Sequence, residues 1–243
     1  METVHQIWIG DNPLPKLWTD TVKEFAKKYD YTYKLWTEDS IKDLDMDDIP
    51  RLKALYKSFG GELAGRADIL RLLILYKFGG VYIDADTVVL KPEKFDQFLT
   101  KNRTGVFFAW ENLTKDRTRK LGIREHRLVA NSVIGAEAGH PFIKELLEGI
   151  VEHEKGVTET TDAWKRVGPY YVTKTYAALK DKFPDVKVFP MRYFFPRAWA
   201  GITDPNLHKK VKIPGSSMLF QYGYSTNKFH KIFKARATRK HQK

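Results

Sequence analysis

The chain has 243 residues, with 42 Lys and Arg against 30 Asp and Glu for a formal net charge of +12, and is 42% hydrophobic and 14% aromatic. That apolar content excludes a mainly disordered polymer, and the length suffices for a substantial core in one large domain or two small ones. The absence of cysteine excludes a disulfide framework, a thiolate metal site and a cysteine nucleophile.

Apolar periodicity predicts strand-like and helix-like segments in alternation. Val4 to Ile9 reads as a first strand, followed by a turn marked by Pro13 and Pro15. A helix over 16–29 follows, its apolar face set by Leu17, Trp18, Val22, Phe25 and Ala26. Tyr31 to Trp36 predicts a second strand, and after the acidic stretch 43–48 Pro50 opens a short helix. Glu62 to Phe78 reads as a helix apolar on nearly every face, and therefore buried. Gly79 and Gly80 end it, because glycine tolerates the left-handed conformation that follows a helix. Val81 to Ile83 is a short strand with Asp84-Ala85-Asp86 at its end, and Val88 to Leu90 resumes it until Lys91-Pro92. Beyond lie strands at Gly105–Trp110 and Leu128–Gly135, helices at Pro141–Glu154 and Pro169–Lys182, and strands at Val186–Phe189 and Met218–Tyr222. Alternation of this kind predicts a single α/β domain with a mixed, mostly parallel sheet flanked by helices. The loop Lys115 to Arg127 is charged, and suits either a ligand-facing segment or a solvated one.

Asp84 and Asp86 are the centre of the chemistry. Residues two apart on a strand point to one side, so both carboxylates can face one site. Hard oxygen ligands of this kind suit Mg²⁺ or Mn²⁺, which bind one or two carboxylates together with substrate phosphates. The spacing alone is weak, since Asp43-x-Asp45 and Asp45-x-Asp47 share it in an acidic, solvated stretch. Asp84 and Asp86 differ in interrupting an apolar strand after a buried helix, where uncompensated carboxylates cost several kcal/mol. The plainer alternative is a strand-end pair that caps a turn.

Asp68 and Arg71 lie three apart on one face of the preceding helix. They form either a mutual ion pair or a ligand-binding pair, Asp68 accepting from hydroxyls and Arg71 contacting sugar or phosphate oxygens. Trp8 closes the first strand next to Gly10, where its face can serve as core or as a platform for a nucleobase. No phosphate-binding G-x-x-x-x-G-K-[ST] loop, no G-x-G-x-x-G fingerprint and no H-E-x-x-H pair occurs. Glu152-His153-Glu154 reads as a solvated helix face.

Three segments together resemble glycosyltransferase family 32: His5-Gln6-Ile7-Trp8-Ile9-Gly10, Gly65-Arg66-Ala67-Asp68-Ile69-Leu70-Arg71, and Leu75 through Asp86. These are DXD-containing sugar transferases that include yeast α-mannosyltransferases, and the same core is similar to the glucosylating clostridial toxins. Gly139-His140-Pro141, Gly168-Pro169 and Tyr193-Phe194-Phe195-Pro196 extend the likeness more loosely. The resemblance implies a GT-A-type fold, a UDP- or GDP-sugar donor, a Mn²⁺ or Mg²⁺ cofactor, and transfer of a hexose with retention to a hydroxyl of a carbohydrate, lipid-linked or protein acceptor. It implies that Trp8 stacks on the base, that Asp68, Arg71, Tyr82 and Asp84 hold donor groups, and that Asn131 lines the sugar pocket. Asp86 becomes the direct metal ligand with Asp84 sharing the ion, and Asp84, Asp86 and Arg71 form the catalytic set. One segment departs from the pattern. The family's His-containing run into Ser-Trp is here Gln221-Tyr222-Gly223-Tyr224-Ser225-Thr226, with Gln221 for His and Thr226 for Trp, leaving Ser225 and Asn227 as candidate metal ligands.

Two other classes fit parts of the sequence. A metal-dependent nuclease or phosphoryl-transfer enzyme suits paired carboxylates on a basic protein, but needs more carboxylates around two metals. A non-catalytic basic nucleic-acid-binding domain predicts binding that falls steeply with salt and no ordered diphosphate site. The transferase reading expects no nucleic acid partner. Residues 1–227 form the expected catalytic domain and 228–243 a basic tail, in which Phe229, Ile232 and Phe233 fall on one helix face among lysines. That face either packs on the body or lies on an anionic membrane. With no signal-like start and no run of ~18 apolar residues, the expected setting is cytoplasmic, with peripheral membrane contact through the tail.

Overall fold

A computed structural model describes the chain except residues 43, 114, 116–117, 120–121, 123–125, 155–161, 199–200 and 241–243; for Glu154 and residues 236–240 it describes the backbone alone. The first half runs β1 (Thr3–Ile7), α1 (Lys16–Lys28), β2 (Thr32–Trp36), α2 (Glu38–Lys42), α3 (Leu52–Ser58), α4 (Leu63–Phe78), β3 (Gly80–Ile83), β4 (Thr87–Val89) and α5 (Pro92–Lys101). The second half runs β5 (Val106–Asn112), β6 (Arg127–Ala136), α6 (Pro141–Glu154), α7 (Ala163–Arg166), α8 (Pro169–Leu179), β7 (Val186–Phe189), β8 (Leu219–Gln221) and α9 (Phe229–Lys240).

The central sheet has the order β2-β1-β3-β6-β5-β7. β1 pairs parallel with β2 and β3, and β5 with β7, while β6 is antiparallel to both of its neighbours. The sheet is therefore mixed and mostly parallel, as expected. Side chains alternate between two cores with the strand period of two. Tyr82, Val106 and Phe108 enter the core beneath α4 and α6, whereas Val81, Ile83, Phe107 and Ala109 enter the one beneath α1 and α5. Burial on both faces explains the continuous apolar runs of β3 and β5. α4 is enclosed all round, with Ile69, Leu70, Leu72, Leu73, Ile74 and Leu75 fully buried.

Several local features differ from the sequence reading: α2 and α7 were not expected, and α3 starts at Leu52 behind Arg51 rather than on Pro50. α5 was not expected; Pro92 opens it rather than merely ending a strand, and it buries Phe95, Phe98 and Leu99. β4 does not continue β3 but forms a separate two-stranded sheet with β8, pairing Thr87 with Gln221. Asp84 and Asp86 accordingly sit in a turn between the two sheets, closed by the Thr87 amide donating to the Asp84 carbonyl at 3.1 Å. Their common orientation comes from that turn, not from strand alternation.

The helical tail starts on the body. Phe229 is fully buried and packs edge-on against Trp18 at 5.0 Å; Phe233 meets the same ring at 5.0 Å, and Ile232 joins the cluster. The apolar face of α9 is thus spent on the protein's own core. Among the described residues no helix is long and apolar enough to cross a membrane.

Candidate active site

β1 and β3 run parallel with His5 beside Tyr82, so the residues that follow them, Trp8 and Asp84, emerge at the same carboxyl edge of the sheet. In open α/β sheets this edge is where ligands bind. β6, antiparallel to β3, brings Asn131 and Ser132 alongside, and the Asp84 amide donates to the Ser132 carbonyl at 2.8 Å. β8 delivers Gln221 through its pairing with Thr87. Four segments distant in sequence therefore meet at one turn.

Two adjoining cavities share that turn. The first, of 220 Å³, is lined by Trp8, Asn12, Arg71, Tyr82, Asp84, Asp86, Tyr224 and Ser225 among others. The second, of 200 Å³, shares Asp84, Asp86, Tyr224 and Ser225 and adds Glu111, Asn131, Ser132, Gln221 and Thr226. Trp8 is held by its indole N–H donating to the Asn12 carbonyl at 2.8 Å and by edge-on contact with Tyr224 at 5.0 Å.

Behind the first cavity lies a buried charge network. Arg71 pairs with Asp68 at 3.0 Å and with Asp84 at 3.2 Å, and donates to the carbonyl oxygens of Asn131 at 2.6 Å and Ala67 at 3.2 Å. Its guanidinium lies over the Tyr82 ring, 4.7 Å from the centroid. Asn131 donates to the second partner of that pair, Asp68, at 2.9 Å. Burial pulls the guanidinium towards neutrality, but the charge of Asp84 foremost reverses the direction and keeps Arg71 firmly cationic. Burial raises Asp68 to about 6 against the opposing pull of Arg71. Asp68 lines neither cavity; it supports Arg71 and Asn131 from behind.

The two acids of the turn are held differently. Asp84 accepts from the Tyr82 hydroxyl at 2.6 Å on one oxygen and from the Gln221 amide at 3.0 Å on the other. Asp86 accepts the Tyr224 backbone N–H at 2.6 Å on Oδ2, while Oδ1 is buried with no hydrogen-bond partner. Burial, and then the neighbouring charge of Asp84, push Asp86 up to about 7. A buried acceptor left unmatched costs about 1–3 kcal/mol, so its presence asks for a cationic or donating ligand. A hard divalent cation fits: the donors at the turn are carboxylates and the exposed Ser225 hydroxyl, the oxygen chemistry such ions take. Among the described residues no group of three or more His, Cys, Asp or Glu side chains comes together as a metal cluster.

Of the residues singled out from sequence, Trp8, Arg71, Tyr82, Asp84, Asp86, Asn131 and Ser225 are brought to the cavities. Asn227 is not: its amide donates to the Tyr222 carbonyl at 2.6 Å and its oxygen accepts from the Gly201 amide at 2.9 Å. Glu111 lines the second cavity and was missed, although a charged residue directly after an apolar strand was the available signal. Most of the loop 115–127 lies outside the described residues.

The family model described as "glycosyltransferase sugar-binding region containing DXD motif" matches residues 15–104, a span that holds Asp68, Arg71, Asp84 and Asp86. This segment of the chain is similar to that family. Inositol phosphoceramide mannosyltransferase 3 of Schizosaccharomyces pombe is 31% identical over 148 residues, covering 60% of this chain and 36% of that protein. The chain thus matches about a third of the length of that relative. Among solved structures, the ligand-free glycosyltransferase domain from the YGT toxin aligns with a TM-score of 0.52 at 12% identity, over 77% of this chain and 79% of that one. The PaToxG glycosyltransferase aligns with a TM-score of 0.50 at 20% identity, over 76% of this chain and 69% of that one. These likenesses show the fold, an α/β architecture of the GT-A type.

Proposed function

We propose that the chain is a metal-dependent, retaining glycosyltransferase that moves a hexose from a UDP- or GDP-sugar to a hydroxyl of a glycan, lipid-linked or protein acceptor. The observation that carries this reading is that Asp84 and Asp86 line one cavity with Trp8, Asp86 keeping a buried Oδ1 without a hydrogen-bond partner. The catalytic domain is residues 1–227, on which Phe229, Ile232 and Phe233 of the tail pack, in a cytoplasmic, membrane-peripheral setting to which the basic residues of 228–243 contribute.

In this reading Trp8 offers its ring face to the base, and Asp86 with Asp84 holds Mn²⁺ or Mg²⁺, Ser225 adding a hydroxyl ligand. The cation, when bound, supplies electrostatic neutralisation of the donor diphosphate. Arg71 adds a fixed positive charge at the cavity wall; low dielectric strengthens its effect on negative charge that grows on the leaving phosphate. Asp68 and Asn131 keep that guanidinium from moving, so little reorganisation accompanies the reaction. Asn131 and Glu111 bound the sugar and acceptor side. The acceptor attacks on the face from which the diphosphate leaves, and the departing phosphate helps take the hydroxyl proton. An isolated covalent glycosyl-enzyme adduct would overturn that route while leaving the activity intact.

The test is a panel of UDP- and GDP-sugars incubated with the protein and Mn²⁺ or Mg²⁺. The expected result is release of nucleoside diphosphate from one donor, abolished by EDTA. Release from none of them, or cleavage of DNA or RNA instead, would contradict the proposal.

A further inference from the structure

Asp84 and Asp86 stand at the same turn, yet the protein treats their carboxylates unequally. On Asp84, Oδ1 meets the Tyr82 hydroxyl at 2.6 Å and the Arg71 guanidinium at 3.2 Å, and Oδ2 meets the Gln221 amide at 3.0 Å. On Asp86, Oδ2 accepts the Tyr224 backbone N–H, whereas Oδ1 is buried with no hydrogen-bond partner. Gln221, which lines the second cavity, is what engages the Asp84 oxygen that would otherwise match it.

The neighbours of that amide fix its orientation. An ionised carboxylate can only accept, so the NH₂ end of Gln221 faces Asp84. Its carbonyl end then accepts the Ser132 hydroxyl at 3.2 Å. Both ends are thus engaged. The fold draws this chain from two sheets: β8 places Gln221 opposite Thr87 in the smaller one, and β6 carries Ser132 in the larger. The Ser132 carbonyl also accepts the Asp84 backbone N–H at 2.8 Å. Ser132 therefore fixes the backbone of Asp84 directly and its carboxylate through Gln221.

A cation at the turn meets the two acids differently. The amide hydrogens of Gln221 carry partial positive charge and point at Asp84 Oδ2, so an ion taking that oxygen must compete with them. Asp86 Oδ1 has no such competitor. One carboxylate and the Ser225 hydroxyl leave most of the shell of an octahedral ion to water or to phosphate oxygens.

We infer that Gln221 is a positioning residue that keeps the Asp84 carboxylate from bonding the cation directly, so that the ion is retained only while a nucleoside diphosphate completes its shell. This rests on the transferase reading and deepens it. Asp84 then helps to hold the ion through its charge from a fixed place, and Asp86 through an open oxygen.

The test is Mn²⁺ binding to the intact chain, followed by electron paramagnetic resonance without nucleotide and with UDP or GDP. Gln221→Met keeps the length of the side chain and removes both polar ends. Without nucleotide it is expected to bind Mn²⁺ at least ~5-fold more tightly than wild type, because a charge-assisted hydrogen bond no longer competes for Asp84. The enhancement by diphosphate should shrink in proportion. Ser132→Ala frees the amide to turn and should shift affinity in the same direction; it carries the test should Gln221→Met fail to fold. In an Asp84→Asn background, Gln221→Met should change nothing, since the amide acts through that carboxylate. A merely structural role would weaken binding. Equal or weaker nucleotide-free affinity in Gln221→Met, or a rise that persists in Asp84→Asn, would overturn the inference while leaving the transferase reading in place. Wild-type protein that binds no Mn²⁺ with or without either diphosphate, and hydrolyses no donor in the same samples, would overturn both.

Discussion

At the scale of single residues, the side chains near the turn divide into those that present atoms to the cavity and those that hold them in place. Asp86 belongs to the first group. Asp86→Asn keeps its shape but removes the charge, and turnover should fall at least ~100-fold, the cost typical of losing transition-state charge stabilisation. Unchanged turnover in initial-rate assays would count against the assignment. Trp8→Ala should act mainly on donor affinity: stacking contributes about 1–3 kcal/mol, so donor KM should rise roughly 5- to 150-fold with kcat little altered. His5 does neither; it lies at the amino end of β3, away from the turn, and acts on the fold. It is 2% exposed, donates from Nε2 to the Gly79 carbonyl at 2.9 Å and accepts the Trp36 indole N–H on Nδ1 at 3.2 Å, a pairing only the neutral ring can make. Burial first, with the charge of Lys34 adding to it, brings the imidazole down from 6.5 to about 4. Between those values the unfolded chain binds more protons, so the contribution is full above pH 6.5 and lost as pH falls towards 4. The loss is on the order of 3 kcal/mol. Urea midpoints measured from pH 7 to 4 should decline in the wild type and decline less in His5→Gln; parallel slopes would contradict this.

At the scale of elements, the long apolar patterns were readable because a single force sets them. α4 and the two-sided strands β3 and β5 follow from burial, and the periodicity that predicts them is the periodicity that packs them. The two-glycine stop after α4 was equally readable, and the structure gives its reason. Gly80 has a φ of +98°, and a Cβ there would meet the Thr3 carbonyl oxygen at 2.4 Å, backbone that cannot step aside within a paired strand. Gly80→Ala should therefore cost more than about 2 kcal/mol, through both the left-handed conformation and the clash. Gly61→Ala, where nothing lies within 4 Å, should stay within ~0.5 kcal/mol in the same thermal unfolding series. What escaped reading was settled by partners far away in the chain. α5 is short, and its apolar side, formed by Phe95, Phe98 and Leu99, has meaning only against Phe25, Phe107 and Phe194. β4 is too short to reveal that its partner is β8, more than a hundred residues on.

At the scale of the whole molecule, the site is an intersection. Trp8, the Asp84–Asp86 turn, Asn131, Gln221 and Tyr224 come from segments that meet only when both sheets and the tail are assembled. The motif around the two acids was legible because it is local; that Gln221 would grip Asp84, and that the Tyr224 amide would cap Asp86, was not, because each depends on pairing between β4 and β8. The helical tail is part of this assembly. Phe229 supports Trp18, whose ring stacks on Tyr222 at 4.4 Å, and Tyr222 leads directly to the loop that caps Asp86. Phe229→Ala should destabilise the fold by about 3–5 kcal/mol, the usual range for emptying a buried aromatic site. A melting temperature equal to wild type would show that the tail is not integral.

The claim on which the rest stands is that Asp84 and Asp86 hold one divalent cation against a nucleoside diphosphate. The most direct measurement is Mn²⁺ binding, followed by electron paramagnetic resonance with and without UDP or GDP, in the wild type and in Asp86→Asn. The account predicts a bound ion whose affinity rises with one of the diphosphates and falls at least ~100-fold in the variant. Equal affinity in the two proteins, or an ion indifferent to both diphosphates, would contradict it.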